Sequence, residues 1–115
     1  MDIDYAALGK RVAQYRKMAD MTQEQLAESS GISPGMVSTV ETGNTKASIE
    51  TLVKLANTLH TTVDTFLYDH LAEKETVLVG RIKSVVEKCS LEQLEILADS
   101  LEAQKLIIDK IGDKA

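Results

Sequence analysis

Five times along the chain, a residue able to cap a helix stands between two apolar residues, one immediately before it and one four positions after. Asp4 lies between Ile3 and Leu8, Thr22 between Met21 and Leu26, and Ser33 between Ile32 and Val37. Ser48 lies between Ala47 and Leu52, and Ser90 between Cys89 and Leu94. A cap side chain takes up an orphan N–H of the first turn. The apolar pair closes across it and fixes the angle at which the chain enters the helix. Gln25 and Gln93, three residues past their caps, complete two capping boxes. Pro34 follows Ser33 at the helical position where a missing N–H does least harm. Thr62 is a weaker start ahead of Phe66. Gly31 and Gly43 stand where helices leave through left-handed backbone. The punctuation predicts an all-α chain with helices near residues 4–19, 22–30, 33–42, 48–60 and 62–69, then longer ones near 71–88 and 90–111.

Composition narrows the function. The 115 residues, 43% of them hydrophobic, suffice for one buried core. The single cysteine, Cys89, excludes a disulfide framework and reads as a small apolar filler; no Cys/His spacing suits zinc, and no metal or cofactor is expected. His60 and His70 have no nucleophile or glycine-rich phosphate loop beside them, so no catalytic residues are expected and the chain does not read as an enzyme. His60 reads as a cation near a helix C-terminus. The start, MDIDYAALGK, lacks the apolar core of a signal peptide, and the apolar runs are too short for a membrane span. A soluble cytoplasmic protein with no membrane partner is the expectation.

Residues Thr22–Gly43 read TQEQLAESSGISPGMVSTVETG. Two short helices meet at a turn pivoting on Gly31, small Ala27 allows a close crossing, and Leu26, Ile32, Val37 and Val40 form the apolar wedge. Such a layout is a helix-turn-helix, whose second helix is presented as a rod. The longer stretch GKRVAQYRKMADMTQEQLAESSGISPGMVSTVETGNTKASIETLVKLANTLHTTVDTFL resembles the phage repressor/Cro-type helix-turn-helix family, also called the xenobiotic response element family, over about residues 5–70. The resemblance implies a five-helix, lambda-repressor-like DNA-binding domain acting as a dimer on operator DNA. It assigns Gln23 to a backbone phosphate, and Ser33, Pro34, Gly35, Ser38 and Thr39 to the end and face of the third helix that approach base edges. Thr42, Asn44, Thr45 and Lys46 match the loop flanking the phosphates, and Arg16 and Glu41 match a buried ion pair between the first and third helices. Lys10, Arg11 and Lys17 suit either a phosphate or a solvated helix face. Met36 is expected to pack rather than to read.

Two features stand against this reading. Residues 1–70 hold six bases and nine acids, and the whole chain carries a net charge of −5, whereas nucleic-acid binders are usually basic. The presented face also lacks Arg, Asn and Gln, the side chains that form bidentate pairs with bases.

Beyond residue 70 only pattern serves. Leu71, Leu78, Ile82, Val85 and Cys89 share a helical face; Leu94, Leu97, Leu101, Gln104, Ile108 and Ile111 follow the three- and four-residue steps of a coiled-coil seam. A C-terminal helical hairpin is expected over residues 71–115. Its stripe, with Leu94, Leu97, Leu101 and Ile108 at the centre, is expected to be covered by a second copy, giving a homodimer; the alternative is that the hairpin folds back on the first five helices of the same chain. The leading reading is a transcriptional regulator of double-stranded DNA, a repressor with the DNA-binding domain in residues 1–70. The alternatives are the antitoxin of a toxin–antitoxin pair and a protein-interaction module that has lost DNA binding.

Overall fold

The structure, a computed structural model, describes residues 2–112 in full and the backbone of Asp113 and Lys114. Met1 and Ala115, the outer ends of the two expected domains, lie outside the described residues. Among those described the chain is all helical: α1 (Tyr5–Met18), α2 (Gln23–Ser30), α3 (Pro34–Thr42), α4 (Ile49–Thr58), α5 (Val63–Phe66), α6 (Lys74–Glu87) and α7 (Leu91–Lys114), with a single 3-10 turn at Tyr68–His70. It divides after Val77 into two compact units.

All five strong caps form. Asp4, Ser33 and Ser48 accept from the backbone N–H three residues on, at 3.0, 3.1 and 3.1 Å. Thr22 and Ser90 make reciprocal boxes with Gln25 and Gln93. The apolar pairs do the work expected of them in the first unit. Leu8, Leu26, Val37 and Leu52 are buried, and Ile3, Met21, Ile32 and Ala47 pack against the same core. Punctuation that starts a helix therefore also seats it, because the residue that fixes the entry angle is itself a core residue.

Four helices end in the same way. After α1, α2, α3 and α4 one residue turns left-handed and the next N–H reaches back to the last turn: Met21 to Arg16, Ile32 to Ala27, Asn44 to Thr39 and Thr61 to Ala56. Gly31 and Gly43 supply two of these residues; Asp20 and His60 supply the others, at φ of 56° and 54°. The fourth helix accordingly stops at Thr58 instead of running to 60, and His60 is the left-handed residue of the turn.

Two further boundaries differ from expectation. The fifth helix is one turn only, Val63–Phe66, and Thr62 makes no cap; its hydroxyl pairs with buried Thr65 instead. This turn inserts Phe66, the largest fully buried side chain, edge-on to Tyr15 with ring centroids 6.4 Å apart. Burial of such a ring contributes about 1.5–3 kcal/mol. The chain then tightens through Tyr68–His70, placing Asp69 on Arg11 and His70 on the start of α1. Leu71 is extended and precedes α6, which begins at Lys74; Cys89 follows its end, with its thiol donating to the Val85 carbonyl at 3.2 Å.

In α6 and α7 no described side chain is buried. Leu94 and Leu97 are half-buried, whereas Leu101 and Ile108 remain 49% and 61% exposed. Among the described residues no helix is long and apolar enough to cross a membrane, and no group of three or more His, Cys, Asp or Glu could hold a metal ion.

Candidate nucleic-acid interface

α3 is fixed from behind by apolar contact, by charge and by close backbone approach. Val37 and Val40 are fully buried against the core. From the same side Glu41 accepts two hydrogen bonds from Arg16 of α1, at 2.7 and 3.0 Å, in a bidentate pair. Gln23, on the first turn of α2, donates its amide to the same carboxylate at 3.0 Å. Arg16 also donates to the Met21 carbonyl at 2.9 Å. With 12% and 6% of their side chains exposed, Arg16 and Glu41 form a nearly dry pair, and the hydrogen bonds that Arg16 donates to Glu41 hold its guanidinium above its ordinary pKa. One carboxylate thus ties α1, α2 and α3 together.

Two glycines let the helices meet. A Cβ on Gly9 of α1 would overlap the Val40 carbonyl oxygen and lie 2.5 Å from that of Glu41. A Cβ on Gly43, just past α3, would lie 2.7 Å from the Ala6 backbone. Gly9 escaped the sequence reading, although an isolated glycine inside a helical pattern is itself a signal of close packing.

The opposite side of α3 is uncovered. Pro34, Gly35, Met36 and Thr42 are exposed; Ser38 and Thr39 are half-buried. Met36 is 37% exposed and lies outside the core, which corrects the expectation that it packs. It sits on the flank of the open face because Val37 and Val40 take the inward positions. The hydroxyls are already oriented. Ser33 caps the helix; Thr39 donates to the Met36 carbonyl at 3.1 Å and Thr42 to the Ser38 carbonyl at 3.0 Å. Beyond the helix, Asn44 and Lys46 are exposed and Thr45 is half-buried. Lys46 makes no ion pair among the described residues.

Of the other bases on α1, Lys10 and Lys17 are exposed. Arg11 is bound within the fold: it donates to both Asp69 oxygens, at 3.0 and 2.9 Å, and lies 4.5 Å from the Tyr68 ring centre. These hydrogen bonds from Arg11 to Asp69 raise the pKa of the guanidinium and lower that of the carboxyl. Beside this clamp the Asp4 N–H donates to His70 Nε2 at 2.8 Å.

A helix-turn-helix family model matches residues 12–66. Among solved structures, the restriction-modification controller protein C.AhdI of Aeromonas hydrophila is 30% identical, aligning over 55% of this chain and 96% of its own with a TM-score of 0.54. The clp gene regulator ClgR of Corynebacterium glutamicum is 33% identical over 55% of this chain and 81% of its own, with a TM-score of 0.53. A chain of the SinR protein/SinI protein complex is 27% identical over 85% of this chain and 97% of its own, with a TM-score of 0.54. No curated protein matches.

Proposed function

The chain belongs to the phage repressor/Cro-type helix-turn-helix family, and from that premise we propose that this DNA-binding regulator is a repressor that inserts α3 into the major groove as a homodimer. The observation that carries the reading is the two-sidedness of α3: Val37, Val40 and Glu41 are held by the rest of the domain, and Pro34, Gly35 and Thr42 are exposed. A rod locked on one side and bare on the other is what insertion into a groove requires. The family and the relatives named above are regulators rather than enzymes.

In this reading residues 1–70 bind DNA and residues 71–115 pair two copies. Gln23 Nε2 carries two hydrogens; one points at Glu41, and the other serves a phosphate beside the N-terminus of α2. Ser33, Pro34, Gly35, Ser38 and Thr39 approach the bases, and Thr42, Asn44, Thr45 and Lys46 flank the backbone. Leu94, Leu97, Leu101 and Ile108 pair the copies, covering a stripe that one chain leaves partly exposed. Two copies are needed because half-sites lie about 34 Å apart and one acidic domain gains little from phosphates alone.

The test is selection of bound duplexes from random DNA by the full-length protein, followed by gel shifts across salt concentrations. A repressor of this kind recovers a two-fold-symmetric site whose affinity falls log-linearly with salt. The net charge of −5 and the absence of Arg, Asn and Gln from the open face of α3 favour a second reading, a protein-interaction module. Recovery of no preferred sequence would establish that second reading over the first.

A further inference from the structure

The open face of α3 carries an unusual inventory. Gly35 has no side chain, and a Cβ there would meet only the Ser33 hydroxyl, at 4.0 Å, so bases can come close to the backbone. Next to it stand Met36 and Thr39, three residues apart and therefore neighbours on the helix surface. The Thr39 hydroxyl lies 4.0 Å from the Met36 sulfur. Its hydrogen is already given to the Met36 carbonyl at 3.1 Å, so its oxygen is left to act as an acceptor. Donating into the helix also polarises that oxygen and strengthens it as an acceptor. The pair thus offers one apolar contact and one hydrogen-bond acceptor side by side. Ser38 keeps its own donor, but it lies two residues on from Met36, where side chains do not face each other.

In the major groove each base pair presents its own pattern. Guanine shows two acceptors, which this pair would leave unmatched. Cytosine shows a donor without a methyl group. Only an A·T pair shows a donor, the adenine N6 amino group, together with an apolar group, the thymine C5-methyl. We propose that Met36 and Thr39 form a reader for an A·T base pair, Met36 covering the thymine methyl and Thr39 Oγ1 accepting from adenine N6. The proposal rests on α3 being the recognition helix and adds to it which residues discriminate and for which base pair.

The test uses the full-length protein on the duplex recovered by selection, with each thymine in turn replaced by uracil, a change that deletes only the methyl group. A single uracil in one half-site weakens wild-type binding about fourfold, the worth of one buried methyl. The same uracil has no effect on Met36→Ala, which keeps the wild-type melting curve because Met36 is outside the core. Thr39→Val, which keeps the shape and removes the acceptor, loses about tenfold or more of the preference for adenine at that position, and Thr39→Ser retains it. Sequence-specific binding in which every uracil is neutral, or in which the uracil effect persists in Met36→Ala, overturns the proposal and leaves the DNA-binding reading standing. Absence of any preferred sequence overturns both.

Discussion

Gly9 of α1 meets the backbone of Glu41 of α3 so closely that a methyl group on Gly9 would stand 2.5 Å from the Glu41 carbonyl oxygen. The obstacle is backbone, not the movable end of a side chain, so α3 as a whole would have to shift. Gly9→Ala gains helix propensity worth about 0.5–1 kcal/mol, but the overlap forces rearrangement that costs more. The expected net loss is about 1–3 kcal/mol, in the range of overpacked cores, read from urea unfolding. A midpoint equal to that of the wild type would mean that α1 and α3 are free to separate.

The carboxylate of Glu41 is the common acceptor of Arg16 and Gln23, so removing it affects three helices at once. Glu41→Ala leaves the Arg16 guanidinium desolvated with only the Met21 carbonyl as partner, and a loss of about 3–5 kcal/mol is expected for such a stranded charge. Gln23→Ala removes a single hydrogen bond to the same group, leaves the ion pair standing and costs about 1.5–3 kcal/mol. A thermal melt that ranks the two variants the other way round would locate the main support of α3 elsewhere.

Acid should act through Asp69. Hydrogen bonds from Arg11 hold its carboxyl below the ordinary value of 3.8, so its ionised form favours the folded state. That contribution is complete above the ordinary aspartate range and is lost as pH falls through the lower, folded-state value. Asp69→Asn is therefore expected to lower stability at neutral pH and to flatten the decline below about pH 4, the unfolded aspartate range. Melting temperatures of wild type and variant measured from pH 7 to pH 2 should converge at the acid end. Curves that stay parallel would show that the clamp contributes nothing through its charge.

Gly35 separates folding from binding. Its surroundings are open and its backbone is helical, so Gly35→Ala fits and is expected to raise stability by up to about 1 kcal/mol. The same methyl group stands on the face proposed to approach the bases and should weaken DNA binding at least several-fold. A variant that is more stable and binds equally well would move the DNA contact off this face.

The legible parts of this fold are those written in local chemistry. Asp4, Thr22, Ser33, Ser48 and Ser90 announce their helices because a cap bond spans only three residues, and the apolar partners of the first four identify core positions at the same time. The ends were less legible where Asp20 and His60, not glycine, turn left-handed, because the demand comes from Met21 and the chain beyond His60 folding back rather than from those residues themselves. Gly9 and Met36 depend on what lies across space. The spacing that places Val37 inward does not say how far the neighbouring helices reach around to Met36. Arg11 looked free in the sequence because its partner Asp69 is 58 positions away.

That distant partner also decides where the chain can be cut. A chain ending at Tyr68 loses Asp69, which holds Arg11, and His70, whose Nε2 accepts the Asp4 N–H at the cap of α1. A chain ending at Val77, the limit of the first compact unit, keeps both and loses most of the exposed apolar stripe of α6 and α7. Residues 1–77 are expected to fold as a monomer and to bind DNA more weakly than the full chain, because one half-site contact replaces two. Residues 1–68 should melt at a lower temperature than residues 1–77, since a bidentate ion pair and a backbone hydrogen bond are gone. Sedimentation and thermal melts of the three lengths provide the check. A shorter chain that still sediments as a dimer would place the pairing surface within the first unit, and equal melting temperatures for the two truncations would leave the Arg11–Asp69 clamp without a structural role.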